Sequence, residues 1–245
     1  MSSSSTVIIT GGSSGLGLAA ARRFLADGYQ VVLGGRDDAR LKQAEYDLSA
    51  GDRVATVAGD IGAADTGDRL VRTAVDRFGG VDVLVNSAGS FAAKPFLDVT
   101  GEELDGFLAG NLRGTYLTTQ AVVRRMVAQG RGGSVVNIGT VLNDHAVSGF
   151  PASAALVSKG GIRALTVALA AELAPNAIRV NEVAPGVVRT PLHAAVDVDA
   201  FAGLAVLNRV GEADEIAEAV HYLATAQFVT GHTLAVDGGF VTVRS

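Results

Sequence analysis

Seven short apolar runs recur along the 245 residues, with stretches of helical composition between them: Val7–Thr10, Gln30–Leu33, Val54–Ala58, Val83–Asn86, Ser134–Ile138, Ile178–Glu182 and Thr233–Val236. Each is too short for a helix, and most are rich in β-branched residues, the composition of strands buried on both faces. Strands alternating with helices imply right-handed βαβ units and a parallel sheet covered on both sides. No Pro/Ser linker and no composition break divides the chain. One α/β domain over residues 1–245 is expected, doubly wound, with no internal repeat.

The first run leads into a glycine turn. Val7, Ile8 and Ile9 are followed by Gly11, Gly15 and Gly17 in the spacing G-x-x-x-G-x-G. Leu16 to Ala26 then reads as a helix, stopped by Gly28 in the position of a left-handed cap. Strand, glycine turn and helix start together make an anion site. Unpaired backbone N–H groups and the positive helix end meet at one spot, and glycines let a pyrophosphate approach. A glycine-rich turn that binds nothing has the same local pattern, so the rest of the chain must decide.

Composition removes several alternatives. The charge balance, 20 Lys and Arg against 25 Asp and Glu, gives −5 with no basic block. That argues against nucleic acid or an anionic membrane as partner. Without cysteine there is no disulfide, thiolate metal site or Cys nucleophile, and the four histidines (145, 193, 221 and 232) lack metal-ligand spacing. Met1 to Ser5 shows neither a basic stretch nor an apolar one, and no apolar run is expected to reach the about 20 residues of a membrane helix. The expected setting is the cytoplasm.

The second run ends in Gly34-Gly35-Arg36, where a doubly wound fold meets the adenine ribose of a dinucleotide. An acid there would accept a bond from the 2′-hydroxyl. A guanidinium without a carboxylate before it favours a 2′-phosphate, hence NADP(H) over NAD(H). Alternatively, Arg36 is a solvated loop residue or pairs with Asp37 or Asp38. Thr100-x-x-Glu103 is a capping-box pattern for a long helix to about Gln129, and Gly110, Asn111 and Gly114 should kink it and aim Asn111 inward. Ser153 is expected to cap a helix running to Ala174. Its only charges from Ala154 on are Lys159, Arg163 and Glu172. A helix apolar nearly all round covers the sheet with one face and is expected to meet a second subunit with another. Ala155 and Lys159 share a face.

Taken together, the motifs resemble those of the short-chain dehydrogenase/reductase family over essentially the whole length. They are Thr10-Gly-Gly-Ser-Ser-Gly-Leu-Gly17, Asp60-Ile61, Asn86-Ser-Ala-Gly89, Asn111-Leu-Arg-Gly114, Gly133 to Ile138, Ser158-Lys159, Pro185-Gly186, Thr190-Pro191 and Val236-Asp-Gly-Gly239. Each is weak alone; their shared order and spacing are specific. The resemblance implies one Rossmann-like domain with a seven-stranded parallel sheet, assembled as a homotetramer or homodimer. It implies carbonyl reduction or alcohol oxidation with a nicotinamide cofactor. Gly11, Ser13, Ser14, Gly15, Leu16 and Gly17 would hold the diphosphate. Asp60 and Ile61 would meet the adenine, and Asn86, Ala88 and Gly89 would line the cofactor. Pro185, Gly186, Val188 and Thr190 would bind the nicotinamide. Asn111 would hold a structural water, Thr140 would bond the substrate oxygen, and Lys159 would bind the nicotinamide ribose. Residues 187–207 would form the substrate lid. Phe91, Phe96, Leu142, Phe150, Leu192 and His193 are expected pocket walls, mostly apolar.

The chain departs from the resemblance at one position. The family's proton donor is a tyrosine four residues before the lysine, and here that residue is Ala155. The loop from Thr140 to Ala155 is also about two residues longer than the family pattern. A positioned general acid contributes roughly 10²–10⁴-fold. Three readings follow. His145 in the lengthened loop, or a water polarised by Lys159 and Thr140, supplies the proton. Or the substrate needs no strong acid, as an iminium ion or an activated alkene would not. Or the protein is a catalytically inactive NADP(H)-binding regulatory or structural subunit.

Overall fold

The computed structural model describes residues 4–194 and 196–242. All seven expected runs are strands of one parallel sheet: Thr6–Thr10 (β1), Gln30–Gly35 (β2), Val54–Ala58 (β3), Val83–Asn86 (β4), Gly133–Ile138 (β5), Ile178–Pro185 (β6) and Thr233–Val236 (β9). A separate two-residue ladder joins Val188–Arg189 (β7) to Gly211–Glu212 (β8). The order β3-β2-β1-β4-β5-β6-β9 reverses direction between β1 and β4, the switch point where such sheets open a crevice at their carboxyl ends.

Helices cover both faces. Gly15–Ala26 (α1), Asp38–Leu48 (α2) and Ala213–Thr225 (α7) enclose one core, which includes Phe24, Leu33, Leu41 and Leu223. Thr66–Phe78 (α3), Gly114–Gln129 (α5) and Ser153–Leu173 (α6) enclose the other, with Ile8, Leu70, Met126 and Val180. Gly101–Phe107 (α4) runs into α5 through a π turn, Leu108–Arg113. The capping box forms as expected: Thr100 accepts from the Glu103 amide, and Glu103 accepts from the Thr100 amide.

Two expectations need correction. Ser153 does not cap α6; the cap is Ala152, and Ser153 is the first helical residue, with no capping side-chain bond. Residues 153–176 do make one helix long and apolar enough to cross a membrane. Its small residues let it sit against β6, with Ile162, Ala170 and Leu173 buried and Val157 and Val167 exposed. Its apolarity is that of a core helix with a second, unburied apolar face.

Candidate active site

The turn after β1 is built by close approach. A Cβ on Gly11 (φ +67°) would lie 2.8 Å from the Ala88 Cα, and one on Gly17 would strike the Gly11 carbonyl. The Thr10 hydroxyl oxygen accepts from the amides of Ser87 and Ala88 at 3.1 Å, pinning the loop after β4 to β1. Ser14, the N-cap of α1, is extended, and its side chain makes no capping bond; the first turn holds no acid. The start of this helix is therefore left with free donors and positive potential. A Cβ on Gly15 (φ +52°) would point across a cleft at Thr190 and Pro191, 3.6 and 3.7 Å away. Leu16 packs its side chain on the core, so only its backbone can face that cleft. The residues fit a dinucleotide's diphosphate: the opening is bounded by glycines, with unspent amides on one wall.

At the end of β2, Arg36 is exposed and has no ion pair among the described residues. Its two sequence neighbours are committed elsewhere. Asp37 caps α2 by accepting from the Arg40 amide, and Asp38 pairs with Lys42 at 2.5 Å. The Ser13 hydroxyl lies 3.6 Å from where a Cβ on Gly35 would stand, so it flanks the same corner. Asp60 accepts from the Gly62 amide at 2.8 Å, and Ile61 is buried against Gly114. Asn86 is the one expected cofactor residue whose side chain is spent inside the sheet. It donates to Thr119 and to Asn137, which donates onward to Thr166, each at 2.9 Å.

Below the crevice lies a second cluster. The π turn buries Asn111, as its poor helix formers foretold. Its carboxamide accepts from the Ser90 amide at 2.8 Å and donates to the Ser90 carbonyl and the Ser158 hydroxyl, both at 2.9 Å. Ser158 in turn donates to the Ala155 carbonyl at 2.7 Å. A Cβ on Gly89 would touch both the Asn111 Oδ1, at 2.9 Å, and the Lys159 Nζ, at 3.6 Å. Lys159 is 9% exposed and donates to the Ile138 carbonyl at 2.7 Å. Burial lowers its pKa to about 8, and the charge of Glu182 partly restores it. Thr140, half-buried, accepts from the Leu142 amide at 3.3 Å. Ala155 is fully buried one turn before Lys159. His145 is exposed, with its ring edge-on to Phe240 at 5.2 Å between centroids.

On the far side, Gly186 donates to the Val236 carbonyl at 3.0 Å as the chain leaves Pro185, and Val188 is buried. Thr190 begins a short helical turn, Pro191–His193, and a second runs Val198–Leu204. The base of this segment is tied down where Arg189 pairs with Asp199 (2.6 Å) and Glu212 (3.2 Å). Of the expected walls, Phe91 and Phe150 stack at 6.2 Å, whereas Phe96 and Leu192 are largely exposed. Residue 195 and the His193 side chain lie outside what is described. A cavity of about 360 Å³ opens between α4 and the start of α6, bordered by Ser90, Phe107 and Ala154.

Sequence reasoning missed Glu182. The strand was expected to end there, but β6 continues to Pro185 and places Glu182 mid-sheet, wholly buried. Two-residue alternation from Ile178 and Val180 was the available signal: it puts position 182 on the same interior face.

The family model for enoyl-(acyl carrier protein) reductase matches residues 11–241. L-rhamnose 1-dehydrogenase (NAD(P)(+)) of Azotobacter vinelandii is 38% identical, covering 98% of each chain. A short-chain type dehydrogenase/reductase from Mycobacterium marinum superposes with a TM-score of 0.93 at 30% identity, over 98% of this chain and 97% of the other. An actinorhodin polyketide ketoreductase solved with NADPH gives 0.91 at 31% identity, over 98% of each.

Proposed function

Since the chain belongs to the short-chain dehydrogenase/reductase family of oxidoreductases, we propose that it is an NADP(H)-dependent oxidoreductase acting on a small, largely apolar carbonyl, imine or activated alkene. The observation that carries the cofactor choice is Arg36. It follows Gly35, whose Cβ position lies 3.6 Å from the Ser13 hydroxyl, and no carboxylate among the described residues holds it, since Asp37 and Asp38 are both engaged elsewhere. An unpaired guanidinium and a hydroxyl suit a 2′-phosphate and offer a 2′-hydroxyl no acceptor carboxylate.

The chain's own residues then divide the work. The amides at the start of α1 hold the diphosphate, and the glycines after β1 keep it close. Lys159 would hold the ribose, with Asn111 and Gly89 packed beside it. Gly186, Val188 and Thr190 after β6 would hold the nicotinamide, which when bound would supply or accept the hydride. Thr140 orients the substrate oxygen, and the stacked Phe91 and Phe150 give the substrate an apolar wall. The family's tyrosine position is Ala155, so the proton comes from another group or the substrate needs none. Hydride alignment alone is worth up to roughly 7–11 kcal/mol, so losing one acid does not end the chemistry. The exposed Val157 and Val167 on α6 and Tyr116 on α5 fit a homodimer or homotetramer.

Fluorescence titration with NADPH and NADH, followed by turnover of ketones, imines and enones, tests this reading. NADPH bound at least tenfold more tightly than NADH, with turnover of one substrate class, supports it. Tight NADPH binding without oxidation by any class would favour the non-catalytic subunit. No binding of either coenzyme overturns the proposal.

A further inference from the structure

The motif Asn111-Leu-Arg-Gly114 contains an arginine to which the coenzyme site gives no task so far. The π turn Leu108–Arg113 carries both Asn111 and Arg113. Residues two apart on a helical path do not face the same side. Asn111 turns inward to Ser90 and Ser158, at the Lys159 end of the crevice. Arg113 is exposed and reaches elsewhere, donating to the Gly62 carbonyl in the turn after β3. Two further contacts join that turn to the same stretch. Ile61 packs on Gly114, where a Cβ would come within 2.5 Å of the Ile61 Cγ1, and a Cβ on Gly62 would lie 3.3 Å from the Ala109 carbonyl oxygen. Within itself the turn is closed by Asp60, whose carboxylate accepts from the Gly62 amide at 2.8 Å and whose carbonyl accepts from the Ala63 amide at 3.0 Å.

The turn leaves β3 beside the Arg36 corner, since the Gly59 amide donates to the Gly35 carbonyl at 2.8 Å. In the order β3-β2-β1-β4, a dinucleotide with its diphosphate at β1 and its ribose at β2 carries its base outward, to the end of β3. Granted the coenzyme reading above, we propose that Arg113 is a positioning residue for the adenine end of the site: its bond to the Gly62 carbonyl holds the turn 60–63 in place as the wall on which the base rests. One π turn then braces both ends of one ligand, with Asn111 beside Lys159 and Arg113 behind the adenine. The Arg113 guanidinium is committed to a backbone carbonyl, so it acts on the base whichever group stands at the ribose 2′ position. That separates its role from that of Arg36.

Arg113→Met keeps an aliphatic stem and removes the donors, and the side chain is exposed, so the core stays closed. Fluorescence titration should show NADPH and NADH affinities falling alike, by roughly tenfold, the lower range for one charge-assisted bond. The affinity for 5′-AMP should fall by about the same factor, while nicotinamide mononucleotide binds within about twofold of wild type. With a turned-over substrate, the KM for coenzyme should rise roughly tenfold and kcat should stay within about twofold, the pattern of lost uniform binding. Arg113→Lys keeps a donor and should recover part of the loss. Without coenzyme, hydrogen exchange at the Gly62 and Ala63 amides should quicken in Arg113→Met, while the Ser90 amide, held by Asn111, is unmoved. A loss confined to NADPH would make Arg113 a phosphate contact, and equal losses for 5′-AMP and nicotinamide mononucleotide would make it a general prop. Either result, or unmoved exchange at 62 and 63, overturns the proposal. Failure of the wild type to bind either coenzyme would instead overturn the coenzyme reading, with exchange still deciding whether Arg113 holds the turn.

Discussion

The two halves of the crevice are built from different materials. The half around β1, α1 and the loop after β4 is backbone: glycines that admit no Cβ, a helix start with unspent amides, and a threonine hydroxyl holding two amides of the neighbouring loop. The half around β5, α6 and β6 is side chains: Thr140, Lys159 and Glu182, with Ala155 where an acid is expected. Binding a diphosphate needs donors that every residue except proline carries. Moving a proton needs a particular titratable group at a particular place. The first half therefore keeps its pattern, while the second can change its chemistry one residue at a time without disturbing the first.

Four measurements bear on that separation. The largest effect is expected for Ala155→Tyr, which should raise the rate of ketone reduction by about 10²-fold or more while leaving NADPH affinity nearly unchanged. Steady-state kinetics and a coenzyme titration read the two halves separately, and a parallel loss of affinity would show them to be coupled. Next is stability against pH. Glu182 has a folded pKa near 7, above its ordinary value of 4.5, so the folded state binds the extra proton between those limits. Its contribution is fully present below about pH 4.5 and is lost as pH rises through 7. The loss is on the order of 3 kcal/mol. Lys159, depressed from 10.5 to about 8, works the other way, and stability is regained between pH 8 and 10.5. Glu182→Gln should therefore melt progressively higher than wild type as pH goes from 5 to 7.5, by several degrees at the upper end. Melting curves that shift equally at every pH would remove the buried acid from the account.

Arg36→Ala comes third, and it probes the other half. Losing a charge-assisted bond to phosphate costs about 1.5–3 kcal/mol, so NADPH affinity should fall roughly 10- to 100-fold, with NADH affinity unmoved. Equal losses for both coenzymes would show that Arg36 does not read the 2′ position. The smallest effect is expected for His145→Ala, because the ring is exposed and rests on Phe240. Turnover should change by less than about threefold on the surface position alone. A far larger fall in turnover than in NADPH affinity would make His145 the proton donor.

Much of the frame was legible because strand and turn chemistry is local. All seven apolar runs are strands, and the poor helix formers at 110, 111 and 114 mark the π turn. Strand ends were less legible. β2 reaches Gly35 and β6 reaches Pro185 because backbone pairing with β3 and β9 continues past the apolar residues. That same misreading hid Glu182, since an acid at the apparent end of a strand reads as an exit to solvent. The Asn86 amide reads as a cleft residue from its motif. Only the register of β4 against β5, with Asn137 directly opposite, shows it turned inward. Ser153 has cap chemistry, but the chain enters the helix one residue earlier.

The π turn at 108–113 has a last consequence, one of residue counting. A π turn holds one residue more than the α-helical path it replaces. Deleting one residue there would regularise the ladder of hydrogen bonds, yet it would rotate the helix on one side of the deletion by about 100° against the other. Asn111 would leave Ser90 and Ser158, and Thr100 with Glu103 would swing round the axis. Substitutions along α4 and α5 are open to this chain wherever a surface allows, but its length between Thr100 and Gln129 is not.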